Sequence, residues 1–279
     1  MVPSAVQTKK SWNPEGWFTD REEKIVVNRL LRDDPSKGSM FNRQGLSFKM
    51  LLEGISDWHL WPIYLIGIVA YIPAHTLGSY LTLVLKGLGY STFTVNLMAI
   101  PSIVLTFILL LSITWLSERC HSIFNVALLQ PLWAVPLLAV LRWWKGSFDD
   151  KWSTYIIISL ILATPYIHAM MVSACSRNAQ SVKTRAVSAS LYNMFVQAGS
   201  IIASNIYRSN DAPYYRAGNT RLFWSAFAMF PILILTKLMY VTINRSREKK
   251  WRSMDDQERE EYSARGGTGS ERLDFRFFH

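Results

Sequence analysis

One apolar stretch of this sequence, residues 187–207, carries hydroxyl and amide side chains at regular steps. These side chains, which we call the polar stripe, are Ser190, Asn193, Gln197, Ser200 and Ser204. Steps of three and four residues keep side chains on one face of an α-helix. Polar groups that face hydrocarbon cost free energy, so the polar stripe must face protein or water. Because hydroxyls and amides both donate and accept hydrogen bonds, the stripe is suited to holding a small polar molecule.

The polar stripe has two interpretations. Hydrogen bonds between helices would satisfy the same side chains, at roughly 0.6 kcal/mol per contact. We favour a water-filled cavity, because five such groups are more than one packed interface usually needs. In this interpretation Asn193 and Gln197, one turn apart, bind a substrate or order water beside it, and Tyr192 points elsewhere. A neighbouring stripe of small residues predicts close approach by another helix; it comprises Ala189, Val196, Gly199 and Ala203.

Two histidines lie inside other apolar stretches, each beside a proline. His75 lies in YIPAHTLGSY, and His168 lies in TPYIHAM. Interrupted helices near the bilayer midplane commonly build the binding sites of transporters. A histidine titrates near neutral pH and can carry a proton, so both are candidate site residues. The alternative is that each is a hydrogen-bonded residue of a helix bundle with no direct role.

The elements that position these side chains are long apolar runs. Each is close to the ~20 residues that an α-helix needs to cross a bilayer. There are six, at residues 61–85, 94–116, 122–141, 154–175, 187–207 and 221–243. They predict an all-α membrane protein with six transmembrane helices. The run 122–141 is the weakest of them, because Pro131 and Pro136 interrupt it.

Polar segments flank the apolar runs and divide the chain into three parts. Residues 1–58 read as a linker with short amphipathic helices, residues 59–243 as the membrane domain and residues 244–279 as a tail. In the linker, Thr19 and Glu22 form a capping box that predicts a helix from Asp20 to Arg32. A second helix, over 47–58, would lie on the membrane surface or pack on protein. In the tail we expect a helix through Tyr262 and then disorder over 264–272.

The distribution of positive charge sets the orientation. If the chain alternates sides, the two terminal segments and the loops between them on the same side hold 22 Lys and Arg, against 7 on the opposite side. Lys and Arg favour the cytoplasmic side, so both termini are predicted to be cytoplasmic. The net charge of +10 is therefore mostly a topology signal. It indicates contact with anionic membrane lipid rather than with nucleic acid.

Motifs of soluble enzyme chemistry do not occur in the sequence. It contains no phosphate loop, no HExxH, no nucleophile elbow and no clustered metal ligands. Cys120 and Cys175 are isolated, and we interpret them as structural or incidental. We therefore expect a protein that is not an enzyme, with no cofactor and no metal site.

Four stretches together resemble a known family. They are GWFTDREEKIVVNRLLRDDPSKG, QGLSFKMLLEGISDWHLWPIYLIG, RAVSASLYNMFVQAGSIIASNIYRSNDAPYYRAGN and RLDFRFFH. In order and spacing they are similar to the central loop, seventh helix, eleventh helix and tail of the fungal allantoate permease family of the major facilitator superfamily. The resemblance covers essentially the whole chain, and it leans more weakly toward the pantothenate-transporter-like members.

The resemblance implies a fold and a function. The six transmembrane helices would correspond to helices seven to twelve, the C-terminal half of such a transporter, built from two three-helix units at about 61–141 and 154–243. The activity would be proton-coupled uptake of a small organic anion, such as pantothenate or allantoate, across the plasma membrane. A degenerate copy of the superfamily's loop signature places a charged gate at Glu118 and Arg119.

The resemblance begins at the central loop of the family, so an N-terminal six-helix half is the expected partner. We expect the sequence to be a fragment or a truncated gene product. Two functions remain open: a transporter that is complete only with the N-terminal half, and a membrane half-domain that does not transport and is inert or regulatory. The identity of the substrate, the coupling ion and the oligomeric state do not follow from the sequence.

Overall fold

The computed structural model describes residues 16–33, 48–87, 90–144, 146, 150–179, 182–212, 214–264, 270 and 272–279. No strand occurs within these ranges, which confirms the prediction of an all-α protein. The described helices are α1 (Asp20–Asp33), α2 (Phe48–Ser56), α3 (Trp61–Val69), α4 (Ile72–Gly87), α5 (Thr92–Cys120), α6 (Ile123–Ala127), α7 (Leu129–Trp143), α8 (Lys151–Leu162), α9 (His168–Asn178), α10 (Val182–Ser204), α11 (Arg216–Arg252) and α12 (Asp256–Ala264).

The capping box at the start of α1 forms as predicted. The backbone N and the hydroxyl of Thr19 each donate to Glu22 Oε2 at 2.9 Å, and the backbone N of Glu22 donates to Thr19 Oγ1 at 3.4 Å. The second linker helix, α2, packs on α10 and brings Leu51 and Ile55 against the core. Packing on protein therefore accounts for these two apolar side chains, which favours the second of the two predicted positions for this helix.

Five helical stretches are long and apolar enough to cross a membrane: Trp58–Thr82, Thr92–Cys120, Ile123–Trp143, Thr184–Ser204 and Arg216–Arg252. They coincide with five of the six predicted runs. The run around Pro131 and Pro136, which looked weakest, is long enough to cross the membrane as Ile123–Trp143, with Leu128 as a single turn residue between α6 and α7. The fourth run is instead two shorter helices, α8 and α9, separated by the non-helical residues 163–167. We number the spans in chain order: span 1 (α3 and α4), span 2 (α5), span 3 (α6 and α7), span 4 (α8 and α9), span 5 (α10) and span 6 (α11).

The spans do not pack in sequential order. Span 1 packs on spans 4, 5 and 6, and span 3 packs on spans 4 and 6. Span 2 packs on spans 3 and 4, and more lightly on span 1, and span 4 packs on span 5. Exchanging spans 1–3 with spans 4–6 maps these pairs onto one another, apart from the contact between spans 2 and 3. This pattern is the one expected of two three-helix units related by a two-fold axis.

Large apolar side chains cover much of the outside of the bundle. On span 2, Phe93 is 73% exposed and Trp115 is 66% exposed, and on span 5 Ile201 is 69% exposed. A soluble protein rarely leaves so much contiguous apolar surface in water. Contact with lipid or with another membrane-embedded segment accounts for it, as an integral membrane protein requires.

The end of the chain packs against the bundle. Phe277 is buried and stacks on His59 and Tyr240, with ring centroids 4.8 and 5.0 Å away. Asn178 both donates to the carbonyl of Phe278 and accepts from its backbone N, at 3.1 and 2.7 Å. These contacts fasten residues 272–279 across the ends of spans 1, 4 and 6.

The disorder predicted for 264–272 is contradicted where the structure describes that stretch; residues 265–269 and 271 lie outside the described residues. Ala264 ends helix α12, and Ser270 is fully buried. The Ser270 hydroxyl donates to Asp57 Oδ2 at 3.1 Å. At Ser270 the prediction is wrong because a polar residue can be ordered by a hydrogen bond to the bundle.

Candidate functional site

A break in span 4 places His168 near the middle of that span. Residues 163–167 are non-helical, and α9 begins at His168. Pro165 lies in the break, where it removes a backbone donor and disfavours helical geometry in the residue before it. A carbonyl in the last turn of α8 accepts a hydrogen bond from span 3: Trp133 Nε1 donates to the carbonyl of Leu160 at 2.8 Å. A hydrogen bond from a neighbouring span therefore stabilises the break.

Span 1 breaks near its own middle, at Ala70 and Tyr71, between α3 and α4. The side chain of Gln130 donates from Nε2 to the carbonyl of Ala70 at 2.9 Å. One turn beyond the break, Thr76 Oγ1 lies 3.0 Å from the carbonyl of Ala203 on span 5. A hydrogen bond from span 3 and one donated to span 5 thus hold the interruption of span 1, as membrane-embedded breaks require.

The two breaks meet in a group that we call the tyrosine–histidine cluster: Tyr71, Tyr166, His168 and Tyr192. The His168 ring centroid lies 5.9, 5.7 and 5.4 Å from those of Tyr71, Tyr166 and Tyr192. The hydroxyls of Tyr71 and Tyr192 are 3.0 Å apart and share a hydrogen bond. Tyr166 is exposed at the surface of the bundle, whereas Tyr71 and Tyr192 are buried. The cluster therefore joins an imidazole to three phenols beside an open face.

The imidazole of His168 is incompletely satisfied. Its Nδ1 atom is buried and has no hydrogen-bond partner among the described residues. An imidazole can accept or donate a proton at either ring nitrogen, depending on its tautomer. The Nδ1 atom of His168 is therefore available to hydrogen-bond a solute that reaches the cluster.

The polar stripe faces outward from the bundle. Ser190, Asn193, Gln197 and Ser204 are exposed, and Ser200 is half-buried. Where the described hydrogen bonds include these side chains, they donate to carbonyls of α10 itself; Asn193 Nδ2, for example, donates to Ala189 O at 3.0 Å. Bonding between helices, the simpler interpretation, is therefore not what the stripe does here. The amides of Asn193 and Gln197 are not packed against a neighbouring helix.

The neighbouring face of α10, which carries the small-residue stripe, packs closely on span 1, as predicted. A Cβ atom added to Gly199 would lie 2.2 Å from the carbonyl oxygen of Ile68. Val196 and Ala203 are buried, and so is Tyr192, which points away from the polar stripe as predicted. Because only glycine allows this approach, the contact fixes the rotation of α10 and turns the polar stripe outward.

The two candidate histidines have different surroundings in the structure. His168 belongs to the tyrosine–histidine cluster. His75 is exposed on α4, one turn after Tyr71, and its backbone N donates to the carbonyl of Tyr71 at 3.0 Å. The described hydrogen bonds and ring contacts include none made by the His75 side chain.

Glu118 and Arg119, the residues predicted to form a gate, are both exposed at the end of α5. No ion pair joins them in the described part of the chain. Glu118 instead lines a cavity of about 350 Å³ together with His121 and Arg177. The Arg177 guanidinium in turn lies 3.5 Å from the ring centroid of Phe278, so the tail reaches this cavity.

Sequence reasoning missed the three tyrosines of the cluster. The available signal was their position beside interruptions: Tyr166 follows Pro165, and Tyr71 lies two residues before Pro73. Apolar patterning assigns a tyrosine to the core without showing which hydroxyls meet. The contact between Tyr71 and Tyr192 joins residues 121 positions apart, which no local pattern reveals.

Comparison with known proteins yields relatives that are named transporters. No family model matches the chain, and no solved structure matches it. It is 58% identical over 214 residues to the uncharacterized transporter YOL162W of Saccharomyces cerevisiae, covering 76% of this chain and all of that protein. It is 41% identical over 269 residues to the uncharacterized transporter YIL166C of the same yeast, covering 94% of this chain and 48% of that protein.

A more distant relative carries a superfamily name. The chain is 27% identical over 106 residues to the MFS transporter prlL of Fungal sp. (strain NRRL 50135), covering 38% of this chain and 21% of that protein. The chain thus spans about half the length of the longer yeast relative and a smaller share of this one.

Proposed function

Because the chain belongs to a family of fungal transporters of the major facilitator type, we propose that it is the C-terminal half of a proton-coupled transporter for a small organic anion. The relatives' names support transport in general. The substrate class and the proton coupling are our own extension: the resemblance to the fungal allantoate permease family implies them, and the chemistry of the tyrosine–histidine cluster and the polar stripe supports them.

The observation that carries the proposal is the meeting of two helix breaks at one cluster. Span 1 is interrupted at Tyr71, and span 4 is interrupted just before His168. These spans occupy equivalent places in the two three-helix units, and secondary transporters commonly form binding sites from such paired discontinuous helices. His168 supplies an imidazole, a group that can accept and release a proton, as coupling to protons requires.

The exposed amides supply the groups that would recognise an anion. Asn193 and Gln197 offer N–H donors for a carboxylate and carbonyl acceptors for an amide or hydroxyl, without a fixed charge in the membrane. Pantothenate and allantoate both combine a carboxylate with amide groups, and the resemblance to the allantoate permease family points to the same class. We therefore propose anions of this class as the substrates.

We further propose that an N-terminal six-helix half completes the site. The polar stripe faces out of the bundle, so a second half would close the cavity over it. The greater length of the yeast relative YIL166C leaves room for such a half. The excess of Lys and Arg near both ends supports cytoplasmic termini, and we place the assembled transporter in the plasma membrane.

Uptake by separately expressed halves tests the proposal. The chain is produced with the N-terminal half of YIL166C in cells that lack endogenous uptake, and radiolabelled pantothenate and allantoate are supplied at acidic and neutral pH. We expect uptake only when both halves are present, with faster uptake at acidic pH and loss of uptake with a protonophore. Uptake that survives the protonophore would contradict proton coupling.

The two open functions are separated by the same experiment. If both halves reach the cell surface and associate, yet neither anion nor a wider panel of organic anions enters, the chain is a membrane half-domain without transport. The chain expressed alone serves as the control for uptake that does not require the second half.

A further inference from the structure

The last span continues beyond its apolar part and forms one wall of a groove. Helix α11 runs to Arg252, although its apolar run ends at residue 243. The tail residues 272–279 lie along this polar extension. Between them is a groove of about 660 Å³, which is large enough for a small ligand.

The groove is strongly cationic. Arg245, Lys249 and Arg252 line it from α11, Arg276 lines it from the tail, and Glu248 is the one acidic side chain in the lining. These five side chains sum to a charge of +3, or +2 if a carboxylate at the end of the sequence is counted. Such a concentration of one sign attracts an anion.

The carboxylate of Glu248 is already hydrogen-bonded to two arginines. Glu248 accepts from Arg252 Nε at 2.7 Å and from Arg276 Nη2 at 2.6 Å. Arg245 and Lys249 have no acidic partner among the described residues. They lie one helical turn apart on the same face of α11, so the charged groups of both side chains can contact one ligand in the groove.

The walls of the groove are held in place. Asn244 donates from Nδ2 to the carbonyl of Phe277 at 2.8 Å and accepts from the backbone N of Phe277 at 2.9 Å. Phe277 itself is buried in the core. The cationic side chains therefore project from two segments whose backbones are fixed against each other, which lowers the entropic cost of binding.

We propose that this groove binds the phosphomonoester of a membrane lipid headgroup, with Arg245 and Lys249 as its principal contacts. The position supports a lipid: Asn244, at one end of the groove, directly follows the apolar run, so the groove opens at the level of the headgroups. Clusters of Lys and Arg directly beside a transmembrane helix commonly bind phosphorylated lipids. Arginine pairs with phosphate through two parallel hydrogen bonds, and lysine adds a point charge.

Binding to purified full-length chain in neutral detergent tests the proposal, with fluorescent short-chain phosphatidylinositol 4-phosphate as the probe. Salt is kept at about 0.15 M, where charges more than ~8 Å apart are largely screened. We expect saturable binding that weakens by roughly tenfold or more in Arg245→Ala and in Lys249→Ala. Lys250→Ala is the matched control, because Lys250 is exposed, has the same charge and lies about 100° around the helix, outside the groove.

Three results would overturn the proposal. Absence of saturable binding to the wild-type chain excludes the site. Equal weakening in Lys249→Ala and Lys250→Ala shows diffuse surface charge instead of a site. Phosphatidylserine binding as tightly as the phosphoinositide excludes a phosphomonoester.

A competition experiment distinguishes a lipid headgroup from a soluble phosphate as the ligand. Soluble inositol 1,4-bisphosphate and inorganic phosphate are titrated against the bound probe. We expect inositol bisphosphate to displace the probe only at higher concentration than unlabelled lipid. If it binds as tightly as the lipid, the ligand is a soluble phosphate, and the lipid assignment is wrong.

Discussion

Substituting Gly199 tests how closely α10 packs on span 1. An added Cβ atom would lie 2.2 Å from the carbonyl oxygen of Ile68 and 3.0 Å from its carbonyl carbon. Ordinary contacts of a Cβ atom begin at 3.4 Å. The two backbones must therefore separate by about 1 Å in Gly199→Ala, because neither is a flexible side chain that can turn aside.

The expected loss follows from two opposing effects. Overpacking of a tight interface costs typically 1–3 kcal/mol. Replacing a helical glycine by alanine returns about 0.5–1 kcal/mol through the lower entropy of the unfolded chain. We therefore expect Gly199→Ala to lower the free energy of unfolding by ~0–2.5 kcal/mol, with the middle of the range at about 1 kcal/mol.

Gly78→Ala is the matched control for this substitution. Gly78 is also helical, on α4, and a Cβ atom there would meet only Leu162 Cδ2, at 3.6 Å. Thermal unfolding of the purified chain in detergent should give a lower midpoint for Gly199→Ala and an unchanged or higher midpoint for Gly78→Ala. Equal midpoints for the two variants would refute the close approach and, with it, the rotation of α10.

Three further predictions follow from the tail, the polar stripe and the termini. Phe277→Ala should lower the free energy of unfolding by about 3–5 kcal/mol, because it empties a buried aromatic site. Phe93→Ala, at an exposed position, should change this free energy little. Unfolding in detergent measures both variants, and equal effects would contradict the docking of the tail. Asn193→Leu or Gln197→Leu should raise the apparent KM for uptake by the paired halves roughly ten- to a hundredfold. Met194→Leu, which also lies at an exposed position of α10, should leave the KM unchanged. An unchanged KM in the amide variants would show that the amides do not bind the substrate. Tags on both termini should resist protease added outside intact cells, and digestion of either tag would overturn the topology.

Local patterns predicted the parts of this structure that depend on local physics. The capping box at Thr19 and Glu22 set the start of α1, since its hydrogen bonds join neighbouring residues. The steps of the polar stripe and of the small residues around Gly199 correctly assigned two neighbouring faces of α10, one exposed and one packed on span 1. A helical period fixes which side chains share a face, whatever the helix later packs against.

Features that depend on distant contacts were not predicted in the same way. Pro131 and Pro136 both lie within helix α7 of span 3, whereas Pro165 lies in a five-residue break in span 4. A proline in the membrane can bend, break or leave a helix largely intact, depending on which neighbours satisfy the freed carbonyls. The docking of Phe277 likewise needs a pocket made by His59 and Tyr240, which lie far from it in the sequence.

The most direct test of the central claim is the pH dependence of anion uptake by the paired halves carrying His168→Gln, with His75→Gln as the matched control outside the tyrosine–histidine cluster. Glutamine can hydrogen-bond in place of imidazole but does not titrate near neutral pH. We predict that His168→Gln reaches the cell surface in normal amounts but loses the acceleration of uptake at acidic pH, and that His75→Gln retains it. Uptake by His168→Gln with the rate and pH dependence of the wild type would contradict the assignment of the helix breaks as the site of proton-coupled transport.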